Sequence, residues 1–453
     1  MEVLPAEIIS RIFSFTNQIY HPILYYISPE CFNNSPTQKQ LNRLLYWAAE
    51  EGNEQLCFLT KKWGASNFNY MLHRAAMKGH KQLCQLAKKW GATDFNGMLF
   101  GATCGGHEHL CRLAREWGAT DLDFMLYWAS RKGHEHLCYL AREWGAKLIW
   151  MLIGAAEGGH EHLCYLAEEW GIDNPRVMLN SAARFGHEHI CYLAKNRGAT
   201  NFNEMLSISA REGHDHLCRL AKNWGAKDFD LMLSAATRGG HKHLCCLAKK
   251  WGATNFNKML WDATNEGNKE LCYLAKEWGA NEINKMLSIA SARGNEELCY
   301  LAKEWGANDF NDMLWQATYI NQINLCQLAK EWGANEFNPM LIAATQRRYE
   351  KLCYLAREWG ATDFNGMLYC ATDLGHERFC HLAKEWGATN FNKMLKTAAT
   401  AGYKHLCQLA KEWGATDFDI MMEIAIESNN KKIYKLAEKW KIESSKKKNN
   451  YLK

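Results

Sequence analysis

An all-α fold, an α-solenoid of stacked helix-turn-helix repeats, is what this sequence predicts, and three observations predict it. The phrase Glu-Trp-Gly-Ala recurs along the chain, with its Trp at Trp63, Trp90, Trp117, Trp144, Trp170, Trp224, Trp251, Trp278, Trp305, Trp332, Trp359, Trp386, Trp413 and Trp440. The step is 27 residues, broken once by a step of 26 between Trp144 and Trp170, and Arg197 fills the one vacant place. That period gives 15 copies between about Leu44 and Trp440. The second observation is composition. The 19 Trp and 18 Cys exceed ordinary usage, and the repeat absorbs both, with fourteen of each at one repeat position. The third is apolar spacing. In each copy two short stretches carry apolar residues at i, i+3, i+4 and i+7 or close to it, which is helical periodicity. Length alone, 453 residues, would suggest about three globular domains. Helices this short are marginal in isolation, so each pair must bury its apolar side on the next pair. One array over 44–440 is therefore expected in place of three domains.

The unit from Asn365 to Phe391 shows how each element is specified. Met367, Leu368 and Ala371 place a first helix from about Met367 to Leu374. Phe379, Leu382, Ala383 and Trp386 place a second from about Glu377 to Trp386. Asn365 is read as the N-cap of the first helix, and Asn or Asp holds this place in 12 of 14 inter-repeat loops, Asn69, Asn96, Asp123 and Asp419 among them. Pro339, after Asn338, is read at a first helical position, where its missing N–H is harmless. Gly387 suits the left-handed residue that ends a helix. The repeat Trp is expected to be half-core, packed on the next unit's loop Phe (Phe68, Phe95, Phe418). Around Lys147–Trp150 and 172–177 the loop's Asn/Asp cap is lost, which predicts a local irregularity. Residues 441–453, with Lys446-Lys447-Lys448, read as a basic disordered tail.

Several function classes are disfavoured at once. No run of 18 apolar residues exists, so no membrane span is expected. The opening residues have neither a basic nor an apolar signal region, so secretion is not expected. The net charge of +5 over the whole chain is too balanced for a polyanion-wrapping protein. No phosphate loop, nucleophile elbow or other catalytic motif appears. No enzyme activity, catalytic residue or cofactor is read.

The repeat unit resembles the ankyrin repeat. Met71-Leu72-His73-Arg74-Ala75-Ala76-Met77-Lys78-Gly79-His80 and Trp90-Gly91-Ala92-Thr93-Asp94 match its Leu-His-x-Ala-Ala-x-x-Gly-His and Gly-Ala-Asp phrases. Ankyrin units have 33 residues and a β-hairpin finger; here the finger is missing and the Thr-Pro-Leu-His tetrapeptide is replaced. The array looks most like the shortened ankyrin-like arrays of large DNA viruses that infect amoebae. Residues 4–15, Leu-Pro-Ala-Glu-Ile-Ile-Ser-Arg-Ile-Phe-Ser-Phe, resemble the opening of an F-box. The resemblance implies docking on the small adaptor subunit of a cullin-RING ubiquitin ligase through Leu4, Pro5, Ile8, Ile9, Ile12 and Phe13. The later phrases of the F-box are absent, so a helical cap over the first repeat is the competing reading of residues 1–43.

Six consecutive units carry His-x-His-x-Cys, as in His107, His109 and Cys111. Imidazole and thiolate are zinc ligands, but residues two apart on a helix point different ways. The first His is expected to bond the turn backbone instead, and no metal site is read. Neighbouring layers ~8–10 Å apart place successive Cys beyond disulfide reach. The thiols are expected to be buried and inert, in a reducing cytoplasmic or nuclear compartment.

The copies differ most at the two places after Met-Leu. Those residues include Tyr46, Trp47, Arg74, Tyr127, Trp128, Trp261, Trp315 and Tyr369. The places before the Gly-His turn, such as Arg131 and Lys132, also vary. Trp, Tyr and Arg are enriched at binding hot spots. In ankyrins the first helix lines the partner-gripping face, which implies that these residues bind a target protein. The expected function is a protein-interaction solenoid, with substrate capture for a ubiquitin ligase as its sharper form. The alternatives are a plain scaffold with a capping N-terminus, a nucleic-acid-binding array and a zinc-binding array.

Overall fold

A computed structural model of the chain describes residues 37–451. Leu4, Pro5, Ile8, Ile9, Ile12 and Phe13 lie outside the described residues. Among the described residues the chain forms 30 helices and no strand, in regular first-helix, second-helix alternation. Two compact units divide it at Gly252 and Ala253. The first holds eight helix pairs, from Gln38–Glu50 to Lys242–Trp251, and the second holds seven, from Phe256–Asn265 to Lys431–Tyr451. Within each unit a first helix packs on its own second helix and on the first helices of adjacent pairs.

The core repeats as the sequence does. In the pair Phe95–Gly105 and Glu108–Glu116, Met98, Leu99, Ala102, Leu110, Cys111 and Ala114 are all buried. The Thr103 hydroxyl is buried too, bonded to the Leu99 carbonyl at 2.7 Å and resting 3.7 Å from the Cys111 sulfur. The same hydroxyl–thiol contact recurs as Thr237 with Cys245, Thr264 with Cys272, Ser291 with Cys299 and Thr345 with Cys353. Thirteen of the 15 second helices end in Trp-Gly, and the glycine adopts a left-handed conformation, φ 109° at Gly118.

The loop asparagine does a different job from the one its sequence position suggests. The first helix of the illustrated unit starts at Phe364 and its N-cap is Asp363, whose carboxylate accepts from the Gly366 N–H at 2.7 Å. Asn365 lies inside that helix and reaches the following repeat, where it accepts the Thr389 and Asn390 N–H groups, each at 2.9 Å. Asn69, Asn96, Asn257, Asn284 and Asn311 make the same pair of bonds one repeat on. Asp123 accepts the Lys147 N–H at 2.7 Å, and Asp419, in the last copy, pairs with Lys441. The residue is an inter-repeat staple, and the cap sits two places earlier. For the same reason Pro339 occupies the third helical position of Phe337–Arg347, not the first.

The expected irregularity takes a corresponding form. Asn174 does cap the helix Pro175–Phe185, accepting from the Val177 N–H at 3.2 Å, and Pro175 stands at its first position. What is missing is the staple. Ile149 and Arg176 occupy the asparagine place in two successive repeats, and Arg176 pairs with Glu204 of the next copy instead. The final helix, Lys431–Tyr451, runs on through the stretch read from the sequence as a disordered tail.

Candidate functional site

Three repeated side chains with chemical potential are absorbed by the framework. The ladder thiols are buried, and burial pushes Cys111 up to about 12 and Cys272 up to about 11. The first histidine of each turn binds the previous repeat. His134, His187 and His214 hold the carbonyls of Cys104, Glu157 and Arg184 at 3.3, 2.9 and 3.0 Å. Their rings lie against the preceding turn glycines, so a Cβ at Gly106 would come within 2.9 Å of the His134 ring. The second histidine is exposed or bonds the same turn, as His189 does at the Gly159 carbonyl, 3.0 Å. The Cys of each His-x-His-x-Cys run is therefore buried in the core, apart from its two His at the turn and surface. Among the described residues no group of three His, Cys, Asp or Glu is arranged to hold a metal.

The repeat Trp is a half-buried clasp between pairs. It packs on the Phe that opens its own pair, as Phe68 with Trp90 at 5.5 Å and Phe364 with Trp386 at 5.9 Å, and not on the next unit's Phe. From the preceding repeat it receives an aromatic edge and a cation: Tyr192 at 5.1 Å and the Lys195 ammonium at 4.6 Å from Trp224. Arg197 substitutes for Trp with two matched changes. The preceding cation becomes Glu168, which pairs with Arg197, and the opening Phe becomes Pro175. The Arg197 guanidinium lies 4.8 Å over Tyr165, where the indole would have been.

The residues left over converge on the first helices of the unit ending at Gly252. Tyr46 stacks on Tyr70 with centroids 4.7 Å apart, and His73 stacks on Phe100 at 5.3 Å. Phe100 touches Phe124 and Trp128 at 5.2 and 5.3 Å. Trp128 meets Tyr127 at 5.3 Å, and Tyr127 meets Trp150 at 6.2 Å. With Tyr70 and His73 at 6.3 Å, the contacts form one unbroken aromatic ridge across five consecutive first helices, from Gln38–Glu50 to Ile149–Gly158. Two tight helix approaches flank its centre. A Cβ added at Gly101 would collide with the His73 carbonyl oxygen, and one at Gly154 with Ser130 Oγ and the Tyr127 carbonyl.

The ridge also carries charge. The Arg74 guanidinium lies 4.1 Å over the Tyr46 ring. Arg131 sits 5.0 Å from Trp128 and 4.5 Å from Phe185, and donates to the Tyr127 hydroxyl at 2.8 Å. Tyr127 donates to Glu157, a buried carboxylate that also faces Arg131 at 3.4 Å. Burial and the Glu157 bond hold the Tyr127 phenol above its ordinary value.

Of the residues singled out from the sequence, Tyr46, Arg74, Tyr127 and Trp128 are thus brought together, with Trp47 half-buried beside Tyr46. Trp261, Trp315 and Tyr369 belong to the other unit and join no such ridge; Trp315 and Tyr369 are exposed, and Tyr369 carries Lys393 over its ring at 4.5 Å. Sequence comparison of the copies missed Tyr70, Phe124 and Glu157. The first two share the place just before Met-Leu, where an aromatic in the copies of Tyr70, Phe124 and Trp150 was the available signal.

No family model matches this chain, and no curated protein matches it. Among solved structures, a circular tandem repeat protein with novel repeat topology and enhanced subunit contact surfaces is 19% identical over 90% of this chain and 94% of that one, with a TM-score of 0.11. At that score the two backbones do not superpose as wholes. The chain is a tandem-repeat α-solenoid, and among its described residues no helix is long and apolar enough to cross a membrane.

Proposed function

We propose that this solenoid is a protein-interaction module that grips a partner on the first-helix face of the unit ending at Gly252. One observation carries the reading: five of the eight rings in the ridge from Tyr46 to Trp150, namely Tyr46, His73, Phe100, Tyr127 and Trp128, occupy the places where the copies differ most, while the framework places are repeated. A framework demand would have put the same ring in every copy. Large rings and Arg in contact are the composition of binding hot spots. The ankyrin-like reading supports it further, since the first helix is the partner-facing element of that family. The buried thiols suit a reducing compartment.

The sharper form makes the protein a substrate adaptor, with residues 4–15 recruiting a cullin-RING ligase through an F-box-like helix. Co-purification from a eukaryotic extract tests both levels. The full chain, a chain lacking residues 1–36 and a Phe100→Ser/Trp128→Ser variant are compared. The adaptor reading expects the ligase subunits with the full chain and the face variant, and their loss from the truncated chain. The interaction reading expects the remaining partners to vanish only with the face variant. Partners that persist on that variant refute it.

A further inference from the structure

The ridge holds a guanidinium whose charge no carboxylate around it answers. Among the first helices that build it, the carboxylates are Glu50, Asp123 and Glu157, and each faces a cation: Lys78 at 3.2 Å, Lys147 at 3.4 Å and Arg131 at 3.4 Å. Arg74 faces no carboxylate among the described residues. Its Nη1 meets only the Met77 sulfur, at 3.2 Å, and its buried Nε has no acceptor. A guanidinium carries five N–H donors in a fixed fork suited to a carboxylate, and a sulfur is a weak acceptor. The Trp128 indole N–H, further along the same ridge, is buried and also lacks an acceptor. Buried donors are ordinarily bonded, so two on one surface call for a reason. Burial also draws Arg74 below its ordinary value, consistent with a cation held away from water.

Resting on the reading that this face binds a partner, we propose that the partner presents an acidic, apolar-flanked peptide segment, whose carboxylate docks on Arg74 and whose neighbouring apolar side chains lie on Phe100 and Trp128. The stacking geometry favours a peptide over a single-stranded nucleic acid. A base needs a free aromatic face to stack on. Here Tyr46 and Tyr70 are stacked at an interplanar angle of 22°, as are His73 and Phe100, so those rings cover one another's faces and offer edges. A phosphate backbone would also need a track of free cations, whereas Lys78, Arg131 and Lys147 on this stretch are already paired and Lys132 lies 6.0 Å over the Trp128 ring.

The test selects random peptides displayed on phage against the full chain, Arg74→Gln and Trp128→Ala, after matching circular dichroism and thermal unfolding have shown both variants folded. On the wild type the selected peptides should be enriched in Asp or Glu beside Leu, Phe or Trp, and the acidic enrichment should disappear on Arg74→Gln. Replacing Glu by Gln in the tightest peptide should weaken wild-type binding by about tenfold and change Arg74→Gln binding by less than about twofold. Peptides that need Trp128 but show no acidic preference overturn the Arg74 assignment and leave the interaction face standing. Failure to select any peptide that depends on Trp128 overturns the face itself. Oligothymidine that binds the wild type and not Arg74→Gln reassigns the partner to nucleic acid and overturns the proposal.

Discussion

Removing the Arg197 side chain puts a number on the clasp between repeats. Arg197 is 11% exposed and pairs with the half-exposed Glu168, which limits that ion pair to about 1 kcal/mol. Its cation–π contact with Tyr165 at 4.8 Å contributes about 0.5–1 kcal/mol. The buried methylene stem adds about 1 kcal/mol of packing. Arg197→Ala should therefore destabilise the chain by about 2–3 kcal/mol. Glu168→Ala should cost about 1 kcal/mol or less. Since the two residues touch, the double variant should fall short of the summed losses by about 1 kcal/mol. Urea unfolding followed by tryptophan emission reads all three. A second arm rebuilds the common arrangement. Arg197→Trp/Glu168→Lys recreates the Lys-over-indole contact seen at Trp224, and should recover most of what Arg197→Trp alone loses. Recovery stays incomplete, because Pro175 stands where the supporting Phe would be. A loss below about 0.5 kcal/mol for Arg197→Ala, or strict additivity of the singles, refutes the clasp.

Three further outcomes follow from the framework. Asn311→Ala removes three bonds to the next repeat, two accepted from backbone N–H groups at 2.8 and 3.2 Å and one donated to the Asn335 side chain at 3.2 Å, and should cost about 1–2 kcal/mol by urea unfolding; a neutral effect contradicts the staple. Thiol labelling of the native chain at pH 8 should modify exposed Cys246 readily, while Cys111, pushed up from 9.0 to about 12 by burial, carries about a thousandfold less thiolate and labels only on unfolding. Burial holds His107 and His160 below the ordinary histidine value. The unfolded chain then binds protons that the folded chain refuses, so their contribution is complete above about pH 6.5 and is lost as pH falls through that value. The thermal midpoint should drop between pH 7 and 5, less steeply in His107→Asn/His160→Asn; an unchanged slope removes the histidines from the account.

The solenoid was legible because its evidence is periodic. A Trp, a Cys and a Met-Leu recurring every 27 residues name the buried face many times over, and each of those places is indeed core or clasp. Function of the loop residues was less legible. Asn365 and Asp363 are both good cap residues two places apart, and only the path of the next loop, which brings the Thr389 and Asn390 N–H groups to Asn365, separates cap from staple. The pairing of Trp with its own Phe was hidden for a similar reason: Phe364 is far from Trp386 in sequence, Phe391 is near, and the helical hairpin brings the distant one back. At the ridge, Tyr46, Arg74, Tyr127 and Trp128 stood out by varying between copies. The ridge that links them runs through His73–Phe100 and on to Trp150, across the close helix approaches at Gly101 and Gly154, which no single copy reveals.

Side-chain footprinting of the chain bound to a co-purified partner tests the central claim most directly. Hydroxyl-radical labelling reads every exposed ring at once, and the second helices supply an internal control in Tyr139, Tyr165 and Tyr192, exposed by 48%, 46% and 44%. The account predicts that the partner protects Tyr46, Tyr70, Phe124 and Trp150 and leaves those three tyrosines labelled as before. Protection of the second-helix tyrosines with the ridge unchanged would contradict it.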